Sequence, residues 1–141
     1  MSVGQFVFML HSHLPYYRKA GMWPFGEENL YECMAETYVP LLNAISELYD
    51  EGIKAKLTVG ITPILAEQLN DEHLKNGFVE YLDSRIKSVS KDLDRYPDPK
   101  VPHSQHLKYL AKYYFDWFNN IKDSFVNKYG MDLIAAFKKF Q

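Results

Sequence analysis

Two histidines stand two residues apart at the end of an apolar segment, in the order His11-Ser12-His13. Side chains at this spacing along a strand point to the same side, so both imidazoles are expected to face one way. Neighbouring imidazoles can share a metal ion, as in hydrolytic zinc sites, or exchange hydrogen bonds with sugar hydroxyls. The pair predicts a functional site, and its spacing leaves both kinds of chemistry open.

Aromatic and acidic residues follow the histidine pair in a segment typical of a loop. Trp23 stands between Gly21 and Pro24, where a tryptophan packs either over a pocket or into the core, and the sequence does not distinguish the two. Glu27 and Glu28 come next, and a negative charge at a helix start complements the helix dipole. That role is sufficient to explain one of the two glutamates.

The elements that must position these residues can be read from apolar spacing. Gln5–Leu10 predicts a strand covered on both faces, and Lys56–Ile61 predicts a second strand. The segment from His11 to Asn29 predicts a loop. Apolar residues at steps of three and four, with caps and breaks between them, predict helices over Leu30–Tyr49 (kinked or divided near Tyr38 by Pro40), from the Thr62 cap and Pro63 through Leu69, Asp71–Leu93, His103–Tyr129 and Met131–Phe140.

The order of elements indicates an α/β fold. Strand, helix, strand and helix over residues 1–70 predict a βαβα unit with two parallel strands, followed by a long helical region over residues 71–141. Two parallel strands leave open sheet edges, which favours the amino-terminal part of a larger fold. A small, mostly helical domain is the alternative.

Composition limits the classes of partner. The 141 residues carry a net charge of -2 and are 47% hydrophobic, which suits one soluble domain and gives no electrostatic reason to expect nucleic acid. The single cysteine, Cys33, excludes an internal disulfide framework. No apolar run approaches the roughly 20 residues of a membrane span. No signal peptide is visible, so a cytoplasmic location is expected.

Three segments together resemble the start of glycoside hydrolase family 57 enzymes, most of all its 1,4-α-glucan branching type. They are His11–Tyr16 (His-Ser-His-Leu-Pro-Tyr), Trp23–Glu28 (Trp-Pro-Phe-Gly-Glu-Glu) and Gly60–Leu69. The resemblance implies the amino-terminal portion of an incomplete (β/α)7 TIM-like barrel, with residues 71–141 as a helical insertion. It also implies retaining chemistry on α-glucans, without a cofactor, by a glutamate nucleophile and an aspartic acid on later strands.

The resemblance also assigns site residues. His11 and His13 would line the donor-sugar subsite, Trp23 would belong to the loop over the glucan groove, and Glu27 matches a substrate-binding position of the family. No acid of this chain matches the catalytic motifs, so catalysis would need the missing remainder of the barrel as a partner. Two alternatives remain: a metal-dependent amidohydrolase-like barrel with His11 and His13 as ligands, and a noncatalytic helical module.

Overall fold

The computed structural model describes residues 4, 6–54, 56–98 and 100–140. Its elements in chain order are β1 (Phe8–Ser12), α1 (Glu27–Cys33), α2 (Val39–Asp50), β2 (Leu57–Ile61), α3 (Pro63–Asn70), α4 (Glu72–Arg95), α5 (Ser104–Asp123) and α6 (Leu133–Lys138). One π-helical segment, Met34–Tyr38, joins α1 to α2, and another, Ser124–Lys128, continues α5. Among the helices of these residues, none has the length and apolarity to cross a membrane.

The two strands pair in parallel, which confirms the predicted α/β class. Phe8 lies opposite Leu57 and Ser12 lies opposite Ile61, with every residue between them in register. The strand therefore starts later than predicted and extends through Ser12, because β2 offers backbone partners as far as Ile61. The predicted first residue, Gln5, lies outside the described residues. The loop begins after Ser12, and His11 belongs to the strand.

The prediction that β1 is covered on both faces is wrong for the described residues. Phe8 is 49% exposed and Met9 is 65% exposed, and Phe6 just before the strand is 89% exposed. The buried cluster of the described residues consists of side chains from helical segments, among them Leu30, Leu42, Leu65, Phe78 and Leu133. The helices bury one another, whereas much of the apolar surface of β1 stays accessible.

Pro40 divides the first long helix where the sequence predicts. Proline lacks the N–H that would donate to the carbonyl four residues earlier, and a π-helical turn is one way to relieve that defect. The π segment Met34–Tyr38 ends just before Val39–Asp50 begins. The whole helix starts at Glu27 instead of Leu30, and Gly52, at a φ of 75°, ends it.

The other helix starts follow their capping residues, with one correction. Thr62 is the N-cap of α3 and Pro63 its first residue, as predicted, but the Thr62 side chain makes no capping hydrogen bond. Asp71 caps α4, where its Oδ1 accepts a hydrogen bond from Leu74 N at 3.0 Å. The last two helices, Ser104–Asp123 and Leu133–Lys138, are shorter than predicted.

Asn43 joins α2 to the end of the α5 region. Its Nδ2 donates to Ser124 Oγ at 3.0 Å, and Tyr129 Oη donates to its Oδ1 at 2.7 Å. Burial raises the pKa of Tyr129 to about 12, with the charges of Glu47 and Asp50 adding to the effect. The phenol is therefore neutral and available as a donor to the amide.

The centre of the core is aromatic. Tyr31, Phe78 and Phe125 are fully buried, and the Phe78 and Phe125 rings meet edge to face with centroids 4.9 Å apart. A Cβ on Gly77 would lie 2.1 Å from Tyr31 Oη and 2.9 Å from its Cζ. Glycine at this position is what allows the Tyr31 phenol to pack against α4.

The same phenol belongs to a buried polar network that joins α1 to α4. Glu27, which is 6% exposed, accepts a hydrogen bond from Tyr31 Oη at 3.2 Å and has its Oε2 2.9 Å from His73 Nε2. Burial disfavours the ionised carboxyl. Four interactions outweigh burial, so the pKa of Glu27 lies below its ordinary value. They are the hydrogen bond from His73, the hydrogen bond from Lys19 N, the charge of His73 and the hydrogen bond from Tyr31.

Substitution of Gly77 tests the close approach of Tyr31. We expect Gly77→Ala to lower the free energy of unfolding by about 2 kcal/mol, because the new methyl overpacks the buried phenol. This sign is opposite to the usual benefit of alanine over glycine inside a helix. Urea unfolding of Gly77→Ala, with Asn76→Ala at the neighbouring exposed position as control, measures it. A Gly77→Ala protein as stable as the wild type would contradict the packing.

The lowered pKa of Glu27 predicts an acid-dependent contribution to stability. A carboxyl with a depressed folded-state pKa stabilises the fold above its unfolded pKa, and this contribution is lost as pH falls through the folded value. We expect the free energy of unfolding of the wild type to exceed that of Glu27→Gln by about 1–2 kcal/mol at pH 7. The difference should shrink as the pH falls below the ordinary glutamate value of 4.5.

Urea titrations of both proteins between neutral pH and the lowest pH at which they stay folded measure this difference. Glu67→Gln, at an exposed position of α3, is the matched control and should show little pH-dependent difference. A gap between wild type and Glu27→Gln that stays constant with pH would show that the buried carboxylate is not the source.

Candidate functional site

The structure places the two histidine rings side by side at the carboxyl end of β1. His11 is in the strand and His13 comes directly after it, and their ring centroids are 5.9 Å apart with an interplanar angle of 34°. Both residues are exposed. The imidazoles therefore share one open side, as their spacing predicts, and can contact the same bound group.

The neighbouring strand ends at the same edge of the sheet as this pair. Gly60 lies opposite His11 in the parallel register, and a Cβ there would come within 3.4 Å of His11 Nδ1. Just beyond the strands, Thr62 N donates to Ser12 O at 3.1 Å. Both strands thus end at one edge, which is where parallel sheets position ligands.

The chain beyond His13 is held by a buried amide. Gln68 of α3 is 1% exposed, and its Oε1 accepts a hydrogen bond from Tyr17 N at 2.7 Å. Its Nε2 donates to Pro15 O at 3.0 Å and to Ile64 O at 3.4 Å. One side chain therefore satisfies an N–H and a carbonyl of the same loop.

Two carboxylates fix the next residues of the loop. Arg18 Nε donates to Asp71 Oδ2 at 3.2 Å, so the N-cap of α4 also binds the loop. Lys19 N donates to Glu27 Oε1 at 3.1 Å. Burial opposes ionisation of Asp71, but the hydrogen bonds from Leu74 N and the Arg18 guanidinium hold its pKa below the ordinary value.

The segment that carries Trp23 folds back on itself before α1. Glu27 N donates to Gly21 O at 2.8 Å and Glu28 N donates to Met22 O at 3.2 Å, so loop carbonyls satisfy the first N–H groups of the helix. A Cβ on Gly26 would lie 1.9 Å from Gly21 O. The closure therefore depends on glycine at position 26.

The same closure leaves the aromatic side chains of the loop outside. Trp23 is 78% exposed and Phe25 is 81% exposed. Trp23 therefore does not belong to the buried core of the described residues. The indole is presented to solvent on a loop whose two ends are hydrogen-bonded to each other.

The four predicted site residues thus fall into two groups. His11, His13 and Trp23 are exposed and available to a ligand, whereas the Glu27 carboxylate is buried and bonded to Lys19 N, Tyr31 and His73. Within the described part of the chain, no group of three or more His, Cys, Asp or Glu residues is arranged to hold a metal ion.

Three residues that hold the loop were missed by the sequence interpretation. Gln68 and Asp71 bind residues more than fifty positions earlier in the chain, and His73 binds Glu27 across 46 positions. No periodicity relates such distant partners. A capping aspartate before an apolar run would have identified Asp71 as an N-cap, but not as a partner of Arg18.

Comparison with known proteins shows which family this chain is similar to. The sequence model of glycosyl hydrolase family 57 matches residues 7–141. A 1,4-α-glucan branching enzyme of Thermococcus kodakarensis is 44% identical over 116 residues, which are 81% of this chain and 17% of the relative. A probable 1,4-α-glucan branching enzyme of Mycobacterium tuberculosis is 42% identical over 79 residues, which are 56% of this chain and 15% of the relative.

Solved structures show the same fold. A family 57-type branching enzyme from Pyrococcus horikoshii superposes with a TM-score of 0.86 at 36% identity, covering 96% of this chain and 24% of that one. The α-amylase AmyC of Thermotoga maritima gives a TM-score of 0.78 at 30% identity, with the same two coverages of 96% and 24%. The chain therefore spans about a quarter or less of the length of the relatives it matches.

These findings settle the fold and the family together. The two parallel strands and their helices correspond to the amino-terminal portion of a TIM-like barrel. The amidohydrolase-like barrel and the unrelated helical module are not supported, since the family match extends from residue 7 to residue 141. The chain belongs to glycosyl hydrolase family 57.

Proposed function

We propose that this chain is the amino-terminal part of a retaining α-glucan-acting glycoside hydrolase or transferase, most like the 1,4-α-glucan branching enzymes. Its part in that activity is to bind an α-glucan, not to cleave it. The observation that carries the proposal is the exposed His11 and His13 pair at the carboxyl edge of the parallel strands, in a chain of this family.

The two imidazoles suit a carbohydrate ring. A neutral imidazole has one donor and one acceptor nitrogen, and adjacent sugar hydroxyls present both functions in turn. With their ring centroids 5.9 Å apart, the His11 and His13 side chains are placed to reach hydroxyls of a single sugar. The exposed indole of Trp23 supplies an apolar face for stacking against a second sugar ring.

Glu27 has a different part in this proposal. Its carboxylate is committed to Lys19 N, Tyr31 and His73, so it supports the substrate-binding loop from beneath. The sequence resemblance assigned it to substrate binding. The buried geometry favours a supporting role, in which Glu27 acts on the glucan only through the position of the loop.

The remainder of the barrel is the partner that this proposal requires. Retaining hydrolysis or transfer needs two carboxyl groups about 5 Å apart, one as nucleophile and one as acid and then base. The exposed residues Phe6 and Met9 lie just before and within β1, and a groove of about 460 Å³ lies beside β2, lined in part by Leu57, Val59 and Phe137. These apolar surfaces are suited to further strands and helices of a barrel.

Two finer points are part of the proposal. We infer a role in α-glucan or glycogen metabolism in the cytoplasm, on the strength of the family and of the sequence pattern. Branching is favoured over hydrolysis because the relatives from Thermococcus and Mycobacterium are described as known or probable branching enzymes. The likeness to an α-amylase keeps hydrolysis as the second candidate.

Glucan affinity tests the binding part. We expect the chain to bind maltooligosaccharides, and Trp23→Ala and His13→Ala each to weaken binding by about tenfold, since loss of a central aromatic or hydrogen-bonding contact costs about 1–2 kcal/mol. Both residues are exposed, so the melting temperature should not change. Isothermal titration calorimetry measures the affinity.

Tyr109→Ala provides the matched control, since this exposed aromatic lies on α5, away from the loop. It should bind as the wild type does. Absence of binding in the wild type, or equal losses in all three variants, would contradict the assigned site.

An activity assay tests whether this chain binds the glucan without cleaving it. Because the chain lacks the family's carboxylates, we expect amylose incubated with it to gain neither α-1,6 branches nor reducing ends. Debranching followed by chain-length analysis, together with a reducing-end assay, measures both products. A separate active enzyme of the family is the positive control. New branches made by the isolated chain would overturn the assignment of catalysis to the rest of the barrel.

A further inference from the structure

We propose that Gln68 is a positioning residue for the glucan site: its buried amide sets the path of the loop on which His13 and Tyr16 are presented. The inference rests on the proposed function for the meaning of the site. The geometry that supports it stands independently of that function.

The position of Gln68 singles it out among the polar residues of α3. The side chain is 1% exposed, and both of its polar atoms have partners on the loop, Tyr17 N at 2.7 Å and Pro15 O at 3.0 Å. A buried amide that loses such partners leaves unpaired polar groups, which costs about 1–3 kcal/mol. The loop therefore has a strong preference for the path that meets Gln68.

The two hydrogen bonds run in opposite directions, which the amide side chain at position 68 matches. The loop offers an N–H at Tyr17 and a carbonyl at Pro15, so its partner must accept at one atom and donate at the other. A carboxylate in place of the amide would face the Pro15 and Ile64 carbonyls with negative charge. Protonation of that carboxylate would restore a donor.

Gln68 also helps to determine which side chains of the loop face the core and which face solvent. Tyr16 is 63% exposed, whereas Leu14 and Tyr17 pack against the helical core. The backbone bonds to Gln68 flank Tyr16 on both sides, at Pro15 and Tyr17. They fix which side chains of the loop turn inward and which turn towards a ligand, and they lie within four residues of His13.

Neighbouring anchors cannot replace this contact. The Arg18 and Asp71 pair and the bond from Lys19 N to Glu27 both lie further along the loop. Loss of Gln68 therefore leaves the distal end of the loop fixed and frees the part next to His13. The expected defect is local and affects the site more than the fold.

Two substitutions test this role in the full chain. For Gln68→Glu, we expect the affinity for maltooligosaccharides to fall about tenfold at pH 7, as unpaired carbonyls imply. Relative to wild type at the same pH, affinity should recover as the pH is lowered and the introduced carboxyl, whose pKa is raised by burial, takes up a proton. Gln68→Leu should lose affinity at every pH, and its Tyr17 amide should exchange with solvent faster.

Two controls separate positioning from stability. Gln105→Glu makes the same chemical change at an exposed site of α5 and should alter neither affinity nor its pH dependence. The ring signals of His11 and His13 in NMR spectra report the site without any ligand. They should move in both Gln68 variants, while the amides of the aromatic core around Phe78 keep their protection.

The outcomes are distinct for the two proposals. Histidine signals that differ from wild type at pH 7, and that return in Gln68→Glu to the wild-type positions for the same acid pH, support positioning. They do so even if the wild type fails to bind glucan, a result that would refute the proposed function alone. Unchanged histidine signals in both variants would overturn the positioning role. So would a loss of protection throughout the core that parallels every change at the site.

Discussion

The site depends on pairing the backbone polar groups of a loop that passes over the helical core. An unpaired N–H or carbonyl is costly where it is shielded from water, so a loop that packs on a helical core needs side chains that meet its polar groups. Gln68 meets Pro15 and Tyr17, and Glu27 meets Lys19. These bonds tie the loop that follows β1 to α3 and α1, and they make the position of the candidate site a consequence of helix packing.

This dependence explains how a sheet of two strands can present an ordered site. The helices supply the buried core, including Tyr31, Phe78 and Phe125, whereas β1 remains largely exposed. The strands determine the spacing of His11 and His13, and the helices hold the loop that leaves β1. The glycine at position 77 and the buried Glu27 carboxylate keep α1 and α4 packed together. The loop is therefore bound to helices whose positions are fixed.

The sequence predicted the features that depend on local pattern. The two-residue spacing placed His11 and His13 on one side, Pro40 divided its helix, and the order of elements indicated parallel strands. It could not predict pairings between distant residues, such as Gln68 with Tyr17 or Asn43 with Tyr129, because no periodicity relates them. The prediction that β1 is buried on both faces was wrong for the described residues. An apolar segment indicates that a strand needs to be buried, but it does not identify the surface that buries it.

An NMR titration of the labelled chain with a maltooligosaccharide shows most directly whether the edge of the sheet at His11 and His13 binds a glucan, since it reports where the sugar contacts the protein. We expect the largest chemical-shift changes at His11, His13 and Trp23, with smaller changes at Tyr16. Signals of the buried aromatic core should stay in place. Changes concentrated on α5, or no changes at the histidines at saturating sugar, would contradict glucan binding at this edge of the sheet.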